Sequence, residues 1–201
     1  MKITLKDGSV KEYESATTAA EITKDISMGL YRNACCCRIN GAVKDLRTVV
    51  DSDCEFEVLT FDEEDGKKAF NHTASHVMAQ AVKRLYPDAK LTIGPAIENG
   101  FYYDFDVETP FGPEDLEKIE KEMKKIIKEN YPIEKFELPV DEAIKLMQDK
   151  GEPYKIELIN EHAGKGEAIS FYKQGEFTEL CAGPHIPEMK VIKAFKLTNC
   201  T

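Results

Sequence analysis

The first part of the chain alternates apolar and polar residues in short runs, a pattern typical of β-strands that are buried on one face. Met1–Leu5 and Val10–Tyr13 flank the turn residues Lys6–Ser9, which favours a β-hairpin. The runs that follow are an apolar stripe at helical spacing (Ala19, Ala20, Ile22 and Ile26), a strand over Ala34–Ile39 before the turn Asn40-Gly41, and a last strand over Glu55–Thr60. The order strand, strand, helix, strand, strand predicts a small mixed β-grasp sheet with one helix packed on it, over residues 1–61.

The remainder predicts a larger α+β domain over residues 62–201 with a mainly antiparallel sheet. The acidic run Asp62–Asp65 suits a helix N-terminus, and we expect this helix to reach Leu85 before Pro87 stops it, with Gly66 as its weak point. The other predicted elements are a hairpin in LTIGPAIENGFYYDFD with its turn at Asn99-Gly100, a helix from Pro113 with the apolar stripe Leu116, Ile119, Met123, Ile126 and Ile127, a helix over Asp141–Lys150 ended by Gly151, and strands over Tyr154–Ile159, Ala168–Tyr172 and Val191–Leu197.

Composition narrows the class of protein. The chain of 201 residues is 42% hydrophobic and 32% charged, as in ordinary globular proteins. Its net charge of −10 argues against a general nucleic-acid binder, because affinity for phosphate rests on Lys and Arg. Apolar runs are too short for a membrane span, and the first residues lack the apolar core of a signal peptide, so we expect a cytoplasmic protein with reduced thiols at Cys35, Cys36 and Cys37.

Candidate chemistry is concentrated in two pentapeptides, HTASH at residues 72–76 and CAGPH at residues 181–185. His72 and His76 share a helix face, because residues four apart lie one turn above each other. Thr73, Ala74 and Ser75 between them are small and are expected to leave the ring faces accessible. Gly and Pro in the second segment favour a turn that brings Cys181 and His185 together. The four side chains suit a tetrahedral zinc site or a metal-free acid/base cluster, and the pattern leaves both open.

Together with IGPAIENGFYYDFD and the β-grasp segment ahead of them, these motifs resemble the N-terminal half of the threonyl-tRNA synthetase family. The resemblance covers the whole chain. It implies a TGS domain over residues 1–61 and an editing domain over residues 62–201, which carries the HxxxH…CxxxH motif shared with alanyl-tRNA synthetases. The aminoacylation and anticodon-binding domains of that family would follow Thr201, so we expect a fragment that is unable to charge tRNA by itself.

In that family the editing site hydrolyses the ester of serine wrongly attached to threonine tRNA. Serine lacks one methyl group of threonine, and a binding pocket distinguishes one methyl only by roughly 10–200-fold, so a second hydrolytic site completes the selection. The resemblance implies catalytic roles for His72, His76, Lys155, Cys181 and His185, and substrate contacts for Tyr103 and Glu179. Without it, Tyr103 would be interpreted as a half-buried strand aromatic, Lys155 as a solvated residue on a strand edge, and Glu179 as a surface charge.

Three positions depart from the family pattern. Asn71 and Ala182 stand where the family often has Arg, which removes two cations that could hold the tRNA end. Glu179 stands where the family usually has Asp and extends that carboxylate by one methylene. These changes are expected to alter affinity for the tRNA end and recognition of the amino group.

The resemblance also bears on cofactors and partners. Alanyl relatives use these ligand types for zinc, whereas threonyl editing sites are metal-free, and we expect no metal here; if zinc binds, its candidate ligands are His72, His76, Cys181 and His185. ATP, magnesium and a further zinc would belong to the missing synthetic core. The implied partner is the 3′ end of threonine tRNA carrying serine, with no membrane partner. The implied parent enzyme is a homodimer, and a monomer stays open for the fragment.

Other interpretations remain at this point. The β-grasp segment alone would suit an RNA-binding or regulatory module, although that leaves the pentapeptides unexplained. A structural zinc domain predicts that chelators unfold the chain, whereas the editing interpretation predicts a fold that survives them. A free-standing editing factor would look the same in sequence, but the run Lys196–Thr201 carries no stop signal and favours truncation.

Overall fold

A computed structural model of the chain describes residues 1–164 and 169–201. Packing divides them into two compact units, residues 1–73 with 183–193, and residues 74–182 with 194–201. The predicted domain boundary after residue 61 stays a prediction, since these units follow packing within the folded chain. Within the described ranges, no helix is both long and apolar enough to cross a bilayer.

The first unit contains the predicted β-grasp fold. Its five-stranded sheet has the order β2-β1-β7-β4-β5, in which β1 and β7 run parallel and the other pairs antiparallel, so the sheet is mixed as expected. The strands β3 and β6 form a separate short antiparallel pair. The elements are β1 (Lys2–Leu5), β2 (Val10–Glu12), β3 (Thr17–Thr18), α1 (Ala19–Ile26), α2 (Met28–Tyr31), β4 (Ala34–Ile39), β5 (Ala42–Lys44), β6 (Val49–Val50), β7 (Cys54–Thr60) and a 3₁₀ turn at Met189–Val191.

The core of this unit explains why its sequence folds in this way. Ile3 of β1 and Phe56 of β7 bury their side chains against Ala19 and Ile22, which lie on the apolar face of α1. Thr18 caps α1 by accepting the amide of Glu21 at 3.2 Å, which satisfies a donor that has no partner within the helix. Cys35, Cys36 and Cys37 are buried free thiols in β4, and burial raises the pKa of Cys35 and Cys36 to about 12. These thiols are therefore inert packing groups.

The helix α3 spans Glu64–Leu85 and confirms the expected long helix. Its first residues belong to the first unit and those from Ala74 onward to the second. Gly66, the predicted weak point of this helix, is required by close packing against the backbone. A Cβ atom there would lie 1.8 Å from the carbonyl oxygen of Thr60, so only glycine lets the helix approach the end of β7.

The second unit combines a three-stranded antiparallel sheet of order β12-β13-β14 with helices and two short β-pairs, β8–β11 and β9–β10. Its main core lies between the sheet and two helices, with Phe171 of β13 packed near Met147 and Ile159. The elements are β8 (Lys90–Leu91), β9 (Ala96–Ile97), β10 (Gly100–Phe101), β11 (Phe105–Asp106), α4 (Pro113–Glu129), β12 (Ile133–Leu138), α5 (Val140–Asp149), α6 (Pro153–Gly164), β13 (Ile169–Gln174) and β14 (Phe177–Leu180).

Three predicted elements need correction. Tyr154–Ile159 is part of helix α6 rather than a strand, and its buried residues Lys155 and Ile159 are four apart, as on a helix face. Val191–Leu197 is not a strand either, because a 3₁₀ turn at Met189–Val191 is followed by irregular backbone. The hairpin turn consists of Glu98 and Asn99, since Gly100 already pairs with Ile97. The predicted strand over Ala168–Tyr172 corresponds to β13, but Ala168 lies outside the described residues.

Candidate functional site

Two of the predicted site residues, His72 and His185, meet in the first unit. Their rings stack with centroids 4.2 Å apart and an angle of 30° between the ring planes. His72 Nδ1 lies 3.3 Å from the carbonyl oxygen of Pro184. Because a carbonyl can only accept, Nδ1 carries the hydrogen and the lone pair of the neutral ring is on Nε2. Burial lowers the pKa of His72, so this ring is neutral at pH 7.

Thr73 fixes the hydrogen-bonding of the second imidazole, that of His185. Its hydroxyl lies 3.0 Å from the carbonyl of Ala69, accepts the amide of Ile186 at 3.1 Å, and lies 2.9 Å from Nδ1 of His185. All three contacts are hydrogen bonds at once only if the hydroxyl donates to Ala69 and Nδ1 of His185 donates to the hydroxyl. We assign this tautomer from its partners, and it puts the lone pair of a neutral His185 ring on Nε2.

The backbone around His185 belongs to a loop that is irregular from Cys181 to Glu188. Gly183 has a φ of 79°, in the left-handed region where residues with a Cβ are strained. This glycine therefore explains why the turn between Cys181 and His185 can form at that point.

In the second unit, Lys155, Glu179 and Tyr103 form a buried polar network. The ammonium of Lys155 forms an ion pair with Oε1 of Glu179 at 2.6 Å and donates a hydrogen bond to the carbonyl of Thr92 at 2.6 Å. The hydroxyl of Tyr103 donates to Oε2 of Glu179 at 2.6 Å. Burial raises the pKa of Glu179, against the opposing effects of Lys155 and Tyr103. A carboxylate and an ammonium are thus held together away from water, an arrangement typical of functional sites.

This network overturns three interpretations that did not use the resemblance. Lys155 is buried on helix α6 and is not a solvated residue on a strand edge. Glu179 is 2% exposed and is not a surface charge. Tyr103 is buried between β10 and β11 and lies in neither strand.

The position of Tyr103 depends on Gly94. A Cβ atom at Gly94 would lie 2.0 Å from the tyrosine ring, so the ring packs directly on glycine backbone. The hydroxyl of Ser75 donates to the carbonyl of Gly94 at 2.8 Å and fixes that backbone against α3. The ammonium of Lys155 lies 5.6 Å from the Tyr103 ring centroid, within the range of a cation–π contact.

His76 and Cys181 also lie in the second unit. His76 packs edge-on to Phe177, with ring centroids 6.3 Å apart, and is 3% exposed. Accessible ring faces were therefore a wrong expectation for His76, and the small residues between the histidines serve close packing instead, since all three are fully buried. Cys181 is half-buried, and its backbone is held on β13 by two hydrogen bonds with Ser170, at 3.1 Å and 2.7 Å.

The chemistry of these donors fits zinc. His72, His76, Cys181 and His185 each offer one atom able to ligate a metal. Three imidazoles and one thiolate are a donor set that zinc accepts, and the Nδ1 contacts of His72 and His185 are of the kind that orient ligating histidines. The same features suit neutral imidazoles that act on water without metal.

Several supporting residues escaped the sequence analysis. The sequence shows Thr73 only as a small residue between the two histidines, and it does not distinguish Asp45, Arg47 or Gly94 from their neighbours. The signal for Gly94 was a glycine in a strand-like segment, which often marks close approach of another group. Nothing in the sequence connects Asp45 and Arg47 to residues 138 to 140 positions later, so only the fold could identify them.

Comparisons with known proteins agree with this organisation. Residues 1–60 match the model of the TGS domain, and residues 169–201 match the model described as the threonyl and alanyl tRNA synthetase second additional domain. The chain is similar to proteins named threonine–tRNA ligase: it is 62% identical over 199 residues to that of Acetivibrio thermocellus, 59% over 201 residues to that of Clostridium perfringens, and 54% over 199 residues to that of Clostridioides difficile. The matches cover 99%, 100% and 99% of this chain and 31% of each relative.

The chain thus combines a TGS domain with a domain named after the threonyl and alanyl tRNA synthetases. Because the threonine–tRNA ligases match the chain over nearly its full length, the chain belongs to the threonyl-tRNA synthetase family and corresponds to its N-terminal part. It spans about a third of the length of these relatives, 31%.

Proposed function

We propose that this chain is the editing region of a threonine–tRNA ligase and hydrolyses the ester that joins serine to the 3′ end of threonine tRNA. The parent enzyme, in this proposal, attaches threonine to that tRNA with ATP and acts as a homodimer in the cytoplasm. The observation that carries the editing function is the pair of stacked imidazoles, His72 and His185, whose Nδ1 contacts leave the lone pairs on Nε2.

Ester hydrolysis requires an attacking water, a group that takes its proton and a group that stabilises charge on the carbonyl oxygen. In the proposed reaction the water oxygen bonds to the ester carbon, the bond to the ribose oxygen breaks, and the leaving oxygen takes a proton. Neutral imidazoles with a lone pair on Nε2 suit the first proton transfer. In this proposal His72 and His185 hold the water, His76 and Cys181 are further catalytic residues, and the neighbouring ribose hydroxyl assists.

The buried network supports recognition of the amino acid. Lys155 supplies positive charge for the developing oxyanion, which is most effective where water is excluded. Glu179 supplies the anion that an α-ammonium group requires, and Tyr103 fixes the orientation of this carboxylate through its hydroxyl. The ion pair between Lys155 and Glu179 keeps both charges compensated until a substrate enters.

We propose that this reaction needs no metal. If zinc were bound, His72, His76, Cys181 and His185 would hold it, and it would lower the pKa of a bound water. Metal analysis of untagged protein should therefore give well below one zinc per chain, and chelator should leave both hydrolysis and the fold unchanged. One equivalent of zinc that is needed for activity would contradict this part of the proposal.

The editing function is tested by deacylation of seryl-tRNA with the 201-residue chain. The double variant His72→Ala, His76→Ala should lose about 100-fold or more of the rate, as expected for removal of acid/base groups. His162→Ala removes the histidine outside the two motifs and is the matched control, which should keep the wild-type rate.

Because His76 is buried, circular dichroism must show that the double variant is folded. His185→Gln, which retains much of the side-chain volume, provides a second test. Wild-type hydrolysis by both folded variants would refute the assigned site.

A further inference from the structure

We infer that the N-terminal β-grasp domain takes part in editing by holding the backbone of His185, and that Asp45 and Arg47 are its positioning residues. This inference rests on the proposed function, and it assigns a task to a domain that carries none of the predicted site residues. All residues involved belong to the first unit, which combines residues 1–73 with the loop 183–193.

Asp45 and Arg47 form one pre-organised group in the turn between β5 and β6. Oδ1 of Asp45 accepts both the backbone amide of Arg47, at 2.9 Å, and Nη1 of its guanidinium, at 2.8 Å. The aspartate is 8% exposed and the arginine side chain 20% exposed. The contact with Asp45 therefore fixes the orientation of the guanidinium in advance. This reduces the side-chain entropy that Arg47 loses when it binds other groups.

This group holds the peptide units on both sides of the His185 Cα atom. Oδ2 of Asp45 accepts the amide of His185 at 3.2 Å, while Nη1 of Arg47 donates to the carbonyl of His185 at 3.3 Å. Nη2 of Arg47 donates to the carbonyls of Ile186 at 2.8 Å and Pro187 at 3.2 Å. The loop forms no regular hydrogen-bond ladder here, so the turn supplies partners for backbone groups that strands or helices would otherwise satisfy.

The contacts converge on a single residue from two directions. Thr73 of α3 orients the His185 ring through Nδ1, and the β5–β6 turn fixes its main chain. The hydroxyl of Tyr31, also in the β-grasp domain, reaches the carboxylate of Glu188 at 3.5 Å and extends the contact along the loop. Displacement of a catalytic group by about 1 Å can cost about 100-fold in rate, so loss of the backbone contacts should be visible in catalysis.

The test compares Arg47→Met and Asp45→Asn with the wild-type chain in deacylation of seryl-tRNA under single-turnover and steady-state conditions. Both variants should lower kcat by about 10- to 100-fold and leave KM within about twofold, because the substrate-binding groups are untouched. Arg47→Lys should recover only part of the rate, since an ammonium cannot serve three carbonyls as a planar fork does. Ile3→Val, in the core of the same domain, is the control for a general loss of stability and should keep the wild-type kcat.

A second measurement does not depend on activity. Exchange of the His185 backbone amide, followed by NMR, should speed up about tenfold or more in Asp45→Asn and Arg47→Met and stay unchanged in Ile3→Val. If the wild-type chain hydrolyses seryl-tRNA and the folded variants match it, the inference is overturned while the proposed function stands. If the wild-type chain is inactive, the proposed function fails, and an unchanged exchange rate would independently overturn the positioning role.

Discussion

At the scale of single residues, one hydroxyl decides which nitrogen of His185 carries a hydrogen. Thr73 contacts Ala69, Ile186 and His185 with a single oxygen, and only one distribution of hydrogens satisfies all three contacts. In the proposed reaction, such a hydroxyl would act through the histidine and would not touch the substrate. It resembles the carboxylate or carbonyl groups that fix histidine tautomers in other active sites.

Replacing Thr73 with Val should remove this control at nearly constant volume. The Nδ1 hydrogen of His185 and the amide of Ile186 would each lose a buried acceptor, which costs about 1–3 kcal/mol per group in the free energy of unfolding. Histidine ¹⁵N NMR should show loss of the Nδ1–H tautomer at His185, and urea unfolding should show the lower stability. Thr73→Ser keeps the hydroxyl and should keep the tautomer; an unchanged tautomer in Thr73→Val would show that Thr73 does not set it.

At the scale of secondary-structure elements, the sequence predicted best where one pattern dominates. The stripe of Ile119, Met123 and Ile126 in α4 fits only a helix, and these three side chains are buried as expected. Tyr154–Ile159 alternates apolar and polar residues and so fits a strand as well, but helix α6 begins at Pro153, which is favoured in a first turn. Periodicity in a short segment cannot separate the two, and packing of Ile159 into the helix–sheet core decided the outcome.

The C-terminal end of α3 carries a cluster of ion pairs centred on Arg84. Arg84 donates to three carboxylates, those of Glu122, Glu129 and Glu176. Its hydrogen bond lowers the pKa of Glu176 to about 2 and is also the main reason that the pKa of Glu129 is lowered. A carboxylate with a lowered pKa in the folded state stabilises the fold above its unfolded pKa, and this stabilisation is lost as pH falls through the folded value.

Arg84→Met should therefore lower the free energy of unfolding at pH 7 by about 1 kcal/mol, a modest figure because solvent screens these partly exposed groups. The difference from wild type should shrink as pH falls from 4.5, the ordinary value for Glu, towards 2. Urea unfolding at a series of pH values measures this. Lys68→Met, which removes an exposed pair with Glu64, is the control and should have little effect at any pH. A gap between Arg84→Met and wild type that is the same at every pH would contradict the explanation.

At the scale of the whole molecule, the sequence identified the family and the β-grasp fold but not the connections that support the site. HTASH and CAGPH could be read as motifs because their spacing is local. The contacts of Asp45 and Arg47 with the loop after Gly183 join residues far apart in the chain, and Glu179 became recognisable as a buried ion only once Lys155 was placed on α6. Long-range polar contacts leave little trace in a single sequence, whereas apolar periodicity can be seen directly in it.

The most direct test of the account is the ratio of single-turnover rate constants for seryl-tRNA and threonyl-tRNA hydrolysis, both on threonine tRNA and both with the wild-type chain. The account predicts that serine is released well above the spontaneous rate and that threonine is spared by roughly 10-fold or more, the scale of discrimination that a site sensitive to one methyl group achieves. Equal release of both amino acids, or release of neither above the spontaneous rate at saturating protein, would contradict it.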